Sequence, residues 1–127
     1  MTLGDYLHSA TLRPFEWGKH DCATFCAGWV ECLTGMDVNY MRGLYFNERT
    51  ANDAMKGGLV PLWSHALNGV AERTLGPDAG CVRIVATPKG EIGAIYTGER
   101  WAMLTDHSVA FIKIPPARLR AIWRVYA

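Results

Sequence analysis

The hydrophobic pattern of this chain changes near its midpoint, and that change constrains the fold more than any other feature. Through Gly69 the apolar residues recur at helical spacing. In Asp21–Gly35, the residues Cys22, Phe25, Cys26, Trp29, Cys32 and Leu33 fall at i, i+3, i+4 and i+7, one buried helical stripe. Asp21 suits the N-cap of that helix and Gly35 its C-terminal stop. Thr2, with Asp5 three residues on, opens a shorter helix that must end before Pro14. Thr50 and Gly57 bracket a third helix. Leu59–Leu67 reads as a fourth, with Pro61 in its first turn and Gly69 past its end. Beyond this point the runs are short, β-branched and aromatic: Cys81–Ala86, Ile92–Thr97, Arg100–Leu104, Val109–Ile114 and Ala121–Tyr126. The connections are too short for parallel crossovers, so these runs predict hairpins and an antiparallel meander, with Pro115-Pro116 as a stiff corner before the last strand. The fold class is therefore α+β, with N-terminal helices packed on one face of a C-terminal antiparallel sheet of about five strands.

At 127 residues, with five Trp, five Tyr and four Phe, the chain suits one domain over residues 1–127 with one well-filled core. Its 13 basic and 12 acidic side chains leave a formal charge of +1, without the basic stripe of a nucleic-acid binder. No apolar run approaches the ~18–20 residues of a membrane span, and the first residues lack the pattern of a secretory signal. Reduced thiols in a cytosol are the expectation for the four cysteines, three of which crowd into Cys22, Cys26 and Cys32.

Cys22 stands in the first turn of the second helix, where unpaired backbone N–H groups and the helix dipole favour a thiolate. This makes it the candidate nucleophile. Trp17, in the loop before the helix, and Asp21 beside the thiol are the candidate substrate contacts. A base must come from His8, His20, His65 or His107. His107 is the best of them, lying among the strands and following Asp106; His20 could instead help cap the helix start. Cys26 and Cys32 read as buried, inert thiols. No metal or other cofactor is expected, since Cys22 and Cys26 lack a second ligand pair. The loop Gly35–Arg49, with Tyr40, Met41, Leu44, Tyr45 and Phe46, is apolar enough to cover the site or to form a docking surface.

The segment Trp17-Gly18-Lys19-His20-Asp21-Cys22-Ala23-Thr24-Phe25 resembles the Trp-Gly-x-x-Asp-Cys-x-x-Phe motif of the NlpC-type papain-like cysteine peptidases, in the form seen in a small phage and prophage tail-associated branch. Ala79-Gly80-Cys81-Val82 resembles that superfamily's Pro-Gly-Asp-Val, Ile95-Tyr96-Thr97-Gly98 its Ile-Tyr-Leu-Gly, and Ala121–Val125 the branch's usual ending. The resemblance implies a papain-like fold with Cys22 as nucleophile. It also implies a His at the head of the strand Glu91-Ile92-Gly93-Ala94-Ile95-Tyr96. Here that position holds Glu91 or Ile92, according to how the motif is matched, and Cys81 replaces the motif's Asp. The expectation that follows is a phage tail-tip, baseplate or tail-assembly protein with a degenerate catalytic centre. Its partners would be other tail proteins, and it would pass from the bacterial host cytoplasm into the virion. The alternative is an active cysteine amidase or peptidase cleaving peptidoglycan stem peptides, with His107 as its base.

Overall fold

The computed structural model describes residues 1–38, 45, 47–54, 56–88 and 90–126. Among the described residues, four helices precede the whole of the sheet. In α1 (Leu3–Thr11) the Thr2 hydroxyl accepts from the Asp5 N–H and the Asp5 carboxylate accepts from the Thr2 N–H, each at 3.1 Å. Asp thus closes a capping box that more often uses Glu or Gln. Helix α2 (Cys22–Thr34) begins at Asp21 and ends at Gly35, whose φ of 74° is the left-handed stop a side chain would resist. Helix α3 (Glu48–Ala54) starts two residues before Thr50. Its cap is Asn47, whose side-chain oxygen accepts from the Thr50 N–H at 2.9 Å, while the Thr50 hydroxyl accepts from the Asn47 N–H. Helix α4 (Leu59–Ala66) has no cap of its own; Glu91, from a strand, accepts from the Leu59 N–H at 2.8 Å.

Among the described residues the sheet has six antiparallel strands: β1 (Ala71–Arg73), β2 (Val82–Thr87), β3 (Gly90–Tyr96), β4 (Trp101–Leu104), β5 (Val109–Ile112) and β6 (Leu119–Val125), in the order β1-β6-β2-β3-β4-β5. Strands β2 to β5 form the expected meander. The chain then rounds Pro115 through a 3-10 turn at Pro116–Arg118. Strand β6 returns along the free side of β2, with Val82 opposite Trp123, and β1 adds outside β6, with Ala71 opposite Val125. The strand beyond the expected five is β1. Its three residues carry no alternating signal, and its pairing with β6 is what defines it.

Apolar side chains cover both faces of the sheet. On one face, Phe25, Cys26, Trp29 and Val30 of α2 pack with Val82, Ile84, Ile95, Leu104 and Trp123. On the other, Cys81, Val85, Ala94, Trp101, Met103 and Ile122 form a second cluster with Ile92 and Tyr96 at its margin. The α2 stripe holds for Phe25, Cys26 and Trp29 but not for Cys32, which is exposed, its sulfur 4.0 Å from the Met1 sulfur. The burial on α2 turns instead toward Ala23 and Val30, so the last turn carries Cys32 out of the core. Among the described residues, no helix is long and apolar enough to cross a membrane.

The close approach of α2 to β3 depends on Gly93. A Cβ there would lie 2.8 Å from the Cys26 sulfur and 2.8 Å from the Trp63 ring, both inside contact distance. Gly93→Ala should therefore destabilise the fold by about 1–3 kcal/mol, the usual cost of overpacking, read as a lower urea midpoint with an unchanged slope.

Candidate functional site

The loop before α2 is folded back on itself, with Glu16 and His20 paired through both backbone groups at 2.9 and 2.8 Å. Gly18, at φ 82°, sits at its tip, where a Cβ would meet the Tyr45 carbonyl oxygen. Only glycine allows the two chain segments this proximity, which gives the Trp-Gly pair a physical reason. Asp21 locks the loop to the helix. One carboxylate oxygen accepts from Gly18 N–H at 2.7 Å, the other from Ala23 and Thr24 N–H at 3.0 Å each, and the Thr24 hydroxyl accepts from Asp21 N–H at 2.8 Å. Hydrogen bonds to a charged group contribute about 1.5–3 kcal/mol apiece, so this one side chain is a principal tie of the region.

That role corrects the expected contact with substrate. Asp21 is 0 % exposed, and both of its oxygens are engaged by backbone N–H groups. Trp17 is half-buried, its ring edge-on to Phe15 at 4.8 Å and to Tyr45 at 6.3 Å, so it reaches the neighbourhood of Cys22 through Tyr45. In the sequence Tyr45 stands out only as part of an apolar loop. It is buried, and its hydroxyl lies in the field of Asp21 and Cys22. Burial and the Asp21 charge hold that phenol protonated. Tyr40, Met41, Leu44 and Phe46 of the same loop lie outside the described residues.

Cys22 opens α2 half-buried. The N–H groups of Gly93, Cys22 and Ala23 favour its anion, but burial and the neighbouring Asp21 charge act against it more strongly and push the thiol up to about 11. The helix start alone predicts the opposite shift. At neutral pH the thiol therefore stays protonated.

None of the four histidines supplies a base by direct contact: among the described residues, no imidazole hydrogen-bonds to Cys22. His107 stands in the β4–β5 turn with its side chain 93 % exposed, 3.7 Å from Asp106, and the structure does not bring it together with the buried sulfur. His20 is buried, with Nε2 3.0 Å from the Ala10 carbonyl, so it ties down the end of α1 and not the start of α2; burial lowers its pKa. His8 is exposed on α1. His65, in the last turn of α4, lines an apolar cavity of about 320 Å³ between α2 and α4, together with Ala23, Cys26, Val30, Trp63 and Val82. Strand β3 sends Gly93 toward α2, while Ile92 joins the cluster on the opposite face. Two residues before Gly93 and on the same face, Glu91 is the cap of α4. No group of three or more potential metal ligands gathers among the described residues.

Cys22, Cys26, Tyr6 and Tyr45 are all raised, chiefly by burial. The folded state thus favours their neutral forms, and the unfolded chain ionises them nearer the ordinary 9.0 for Cys and 10.0 for Tyr. Their contribution to stability is complete below pH 9, falls as pH rises above it, and for Cys22 is fully lost once pH passes its folded value near 11. Urea unfolding at about pH 10.5 should show a lower midpoint than at about pH 8, and Cys22→Ser should reduce that difference. A midpoint that stays flat over this range would contradict the burial of these groups.

No curated protein and no solved structure matches this chain. A family model described as a domain of unknown function (DUF6950) matches residues 1–125, and the chain belongs to that family.

Proposed function

We propose that this protein is a phage tail-tip, baseplate or tail-assembly component built on an NlpC-like, papain-like domain whose catalytic centre no longer works. The observation that carries the loss of catalysis is the use made of Glu91. Of the two residues that can be matched to the family's His, Glu91 stands on the face turned to α2 and Ile92 on the other. Glu91 accepts from the Leu59 N–H at 2.8 Å and so serves α4. A carboxylate held in that way is not a neutral imidazole, and Cys22 keeps its proton at neutral pH. A cysteine at the start of a helix laid on an antiparallel strand supports the papain-like reading, since that is the arrangement the motif around Cys22 implies. The tail assignment rests on the sequence resemblance to the phage branch.

A second reading is favoured by one feature. The N–H groups of Cys22, Ala23 and Gly93 favour an anion at the sulfur, and an oxyanion could draw on the same groups. In that case Cys22 would attack a peptidoglycan stem-peptide amide, with a base brought by another chain. Two measurements separate the readings. Alkylation of Cys22 by iodoacetamide should rise with pH toward a midpoint near 11, and the protein should release no soluble fragments from purified sacculi; fast labelling near pH 7 with fragment release lost in Cys22→Ala would establish the hydrolase. Mass spectrometry of particles and tail intermediates from a lysogen carrying the gene should find the chain among tail proteins. Its absence from both would overturn the tail assignment.

A further inference from the structure

The two edges of the sheet are built on opposite principles. An edge strand leaves half of its backbone N–H and C=O groups unpaired, and natural sheets blunt such edges with charge. Edge β1 does this: Glu72 lies 3.8 Å from Arg124, and the Arg73 guanidinium stacks on Trp123 at 5.2 Å. Edge β5 does not. Its residues Val109-Ala110-Phe111-Ile112 include no charge and no proline, and among the described residues β4 is its only strand neighbour. Phe111 is 47 % and Ile112 38 % exposed. Phe111 stands opposite Ala102 and Ile112 opposite Trp101, so the two apolar side chains flank the open edge from opposite faces of the sheet. A strand added there would cover both.

Charge selects the occupant. Asp106, in the turn that leads into β5, is 76 % exposed, and Lys113, directly after the strand, is exposed as well. The edge is thus acidic at its start, apolar in the middle and basic at its end. A second copy laid antiparallel sets each acidic start against the other's basic end, twice per interface, and a parallel copy would oppose like charges. Self-complementarity of this kind is what a two-fold interface requires. We propose that β5 is the pairing edge of a homodimer, in which β5 of one copy lies antiparallel to β5 of a second and their sheets join into one.

Sedimentation equilibrium of the full chain tests this. The wild type should show a reversible monomer–dimer equilibrium. Phe111→Glu should abolish it. Asp106→Lys alone and Lys113→Asp alone should each weaken it by roughly tenfold, because attraction becomes repulsion at both ends of the interface. An equimolar mixture of these two charge variants should regain the dimer, since each then meets its opposite. Both positions are exposed, and circular dichroism would verify that each variant is folded. A chain that remains monomeric throughout overturns the proposal. So does a dimer indifferent to Phe111→Glu, or a pair of weakened variants that fail to recover when mixed.

Discussion

The buried carboxylate of Asp21 is the constraint on which the rest of the site depends. It reaches back to Gly18 and forward to Ala23 and Thr24, joining the loop and the first turn of α2 into one unit. A carboxylate with no contact with water is tolerable only with this many donors, and the helix start supplies two of them. Gly18, held by Asp21, brings the loop against the Tyr45 backbone, and the buried Tyr45 phenol in turn feels the Asp21 charge. The same charge also acts on Cys22. The residue that positions the thiol is one reason the thiol stays protonated.

Local signals are legible in the sequence where the interaction closes within a few residues. The Thr2–Asp5 box, the Asp21 cap and the left-handed Gly35 are of this kind, and they set both ends of α2 and the start of α1. Four of the expected strands lie within a few residues of their expected bounds for the same reason, and β6 begins two residues earlier than expected, at Leu119. Features created by partners distant in the chain are not legible. Strand β1 is a strand because β6 lies beside it. Helix α4 begins where Glu91, 32 residues away, offers an oxygen. Tyr45 comes within the electrostatic reach of Cys22 across 23 positions, and nothing in an apolar loop marks one aromatic residue as the one that turns inward. His107 illustrates the converse. Its neighbours make it look like a strand histidine, but the hairpin turn at Thr105–Ser108 puts it in solvent.

The Cys22 thiol shows why a motif does not determine an ionisation state. A helix N-terminus stabilises an anion by about 0.3–1 kcal/mol, up to about 2 in sheltered geometry, and one pKa unit corresponds to about 1.4 kcal/mol. Full burial can shift a group by about 3–5 units the other way. The pull of the helix end is local and can be read from sequence; the cost of burying the charge is set by everything that packs around the sulfur. In an active thiol protease an imidazole partner reverses the balance by pairing with the anion. Without that partner burial prevails, and the result is a thiol near 11.

Glu91 extends this to the strand. A position on the α2-facing side of β3 can serve either the sulfur or the neighbouring helix. With Gly58 at φ 88° and no side chain there to cap it, α4 needs an acceptor at Leu59, and Glu91 provides it. An imidazole in its place would leave that N–H without its carboxylate, at the end of a helix whose Trp63 packs on Gly93 and on Trp123. The loss would be felt in the packing that holds β3 against α2, the same packing on which the geometry at Cys22 relies. Placing an imidazole at position 91 by one substitution would therefore loosen the scaffold that a catalytic pair would require, and on the proposed reading a working pair would take at least two changes: an imidazole for the sulfur and a new cap for α4.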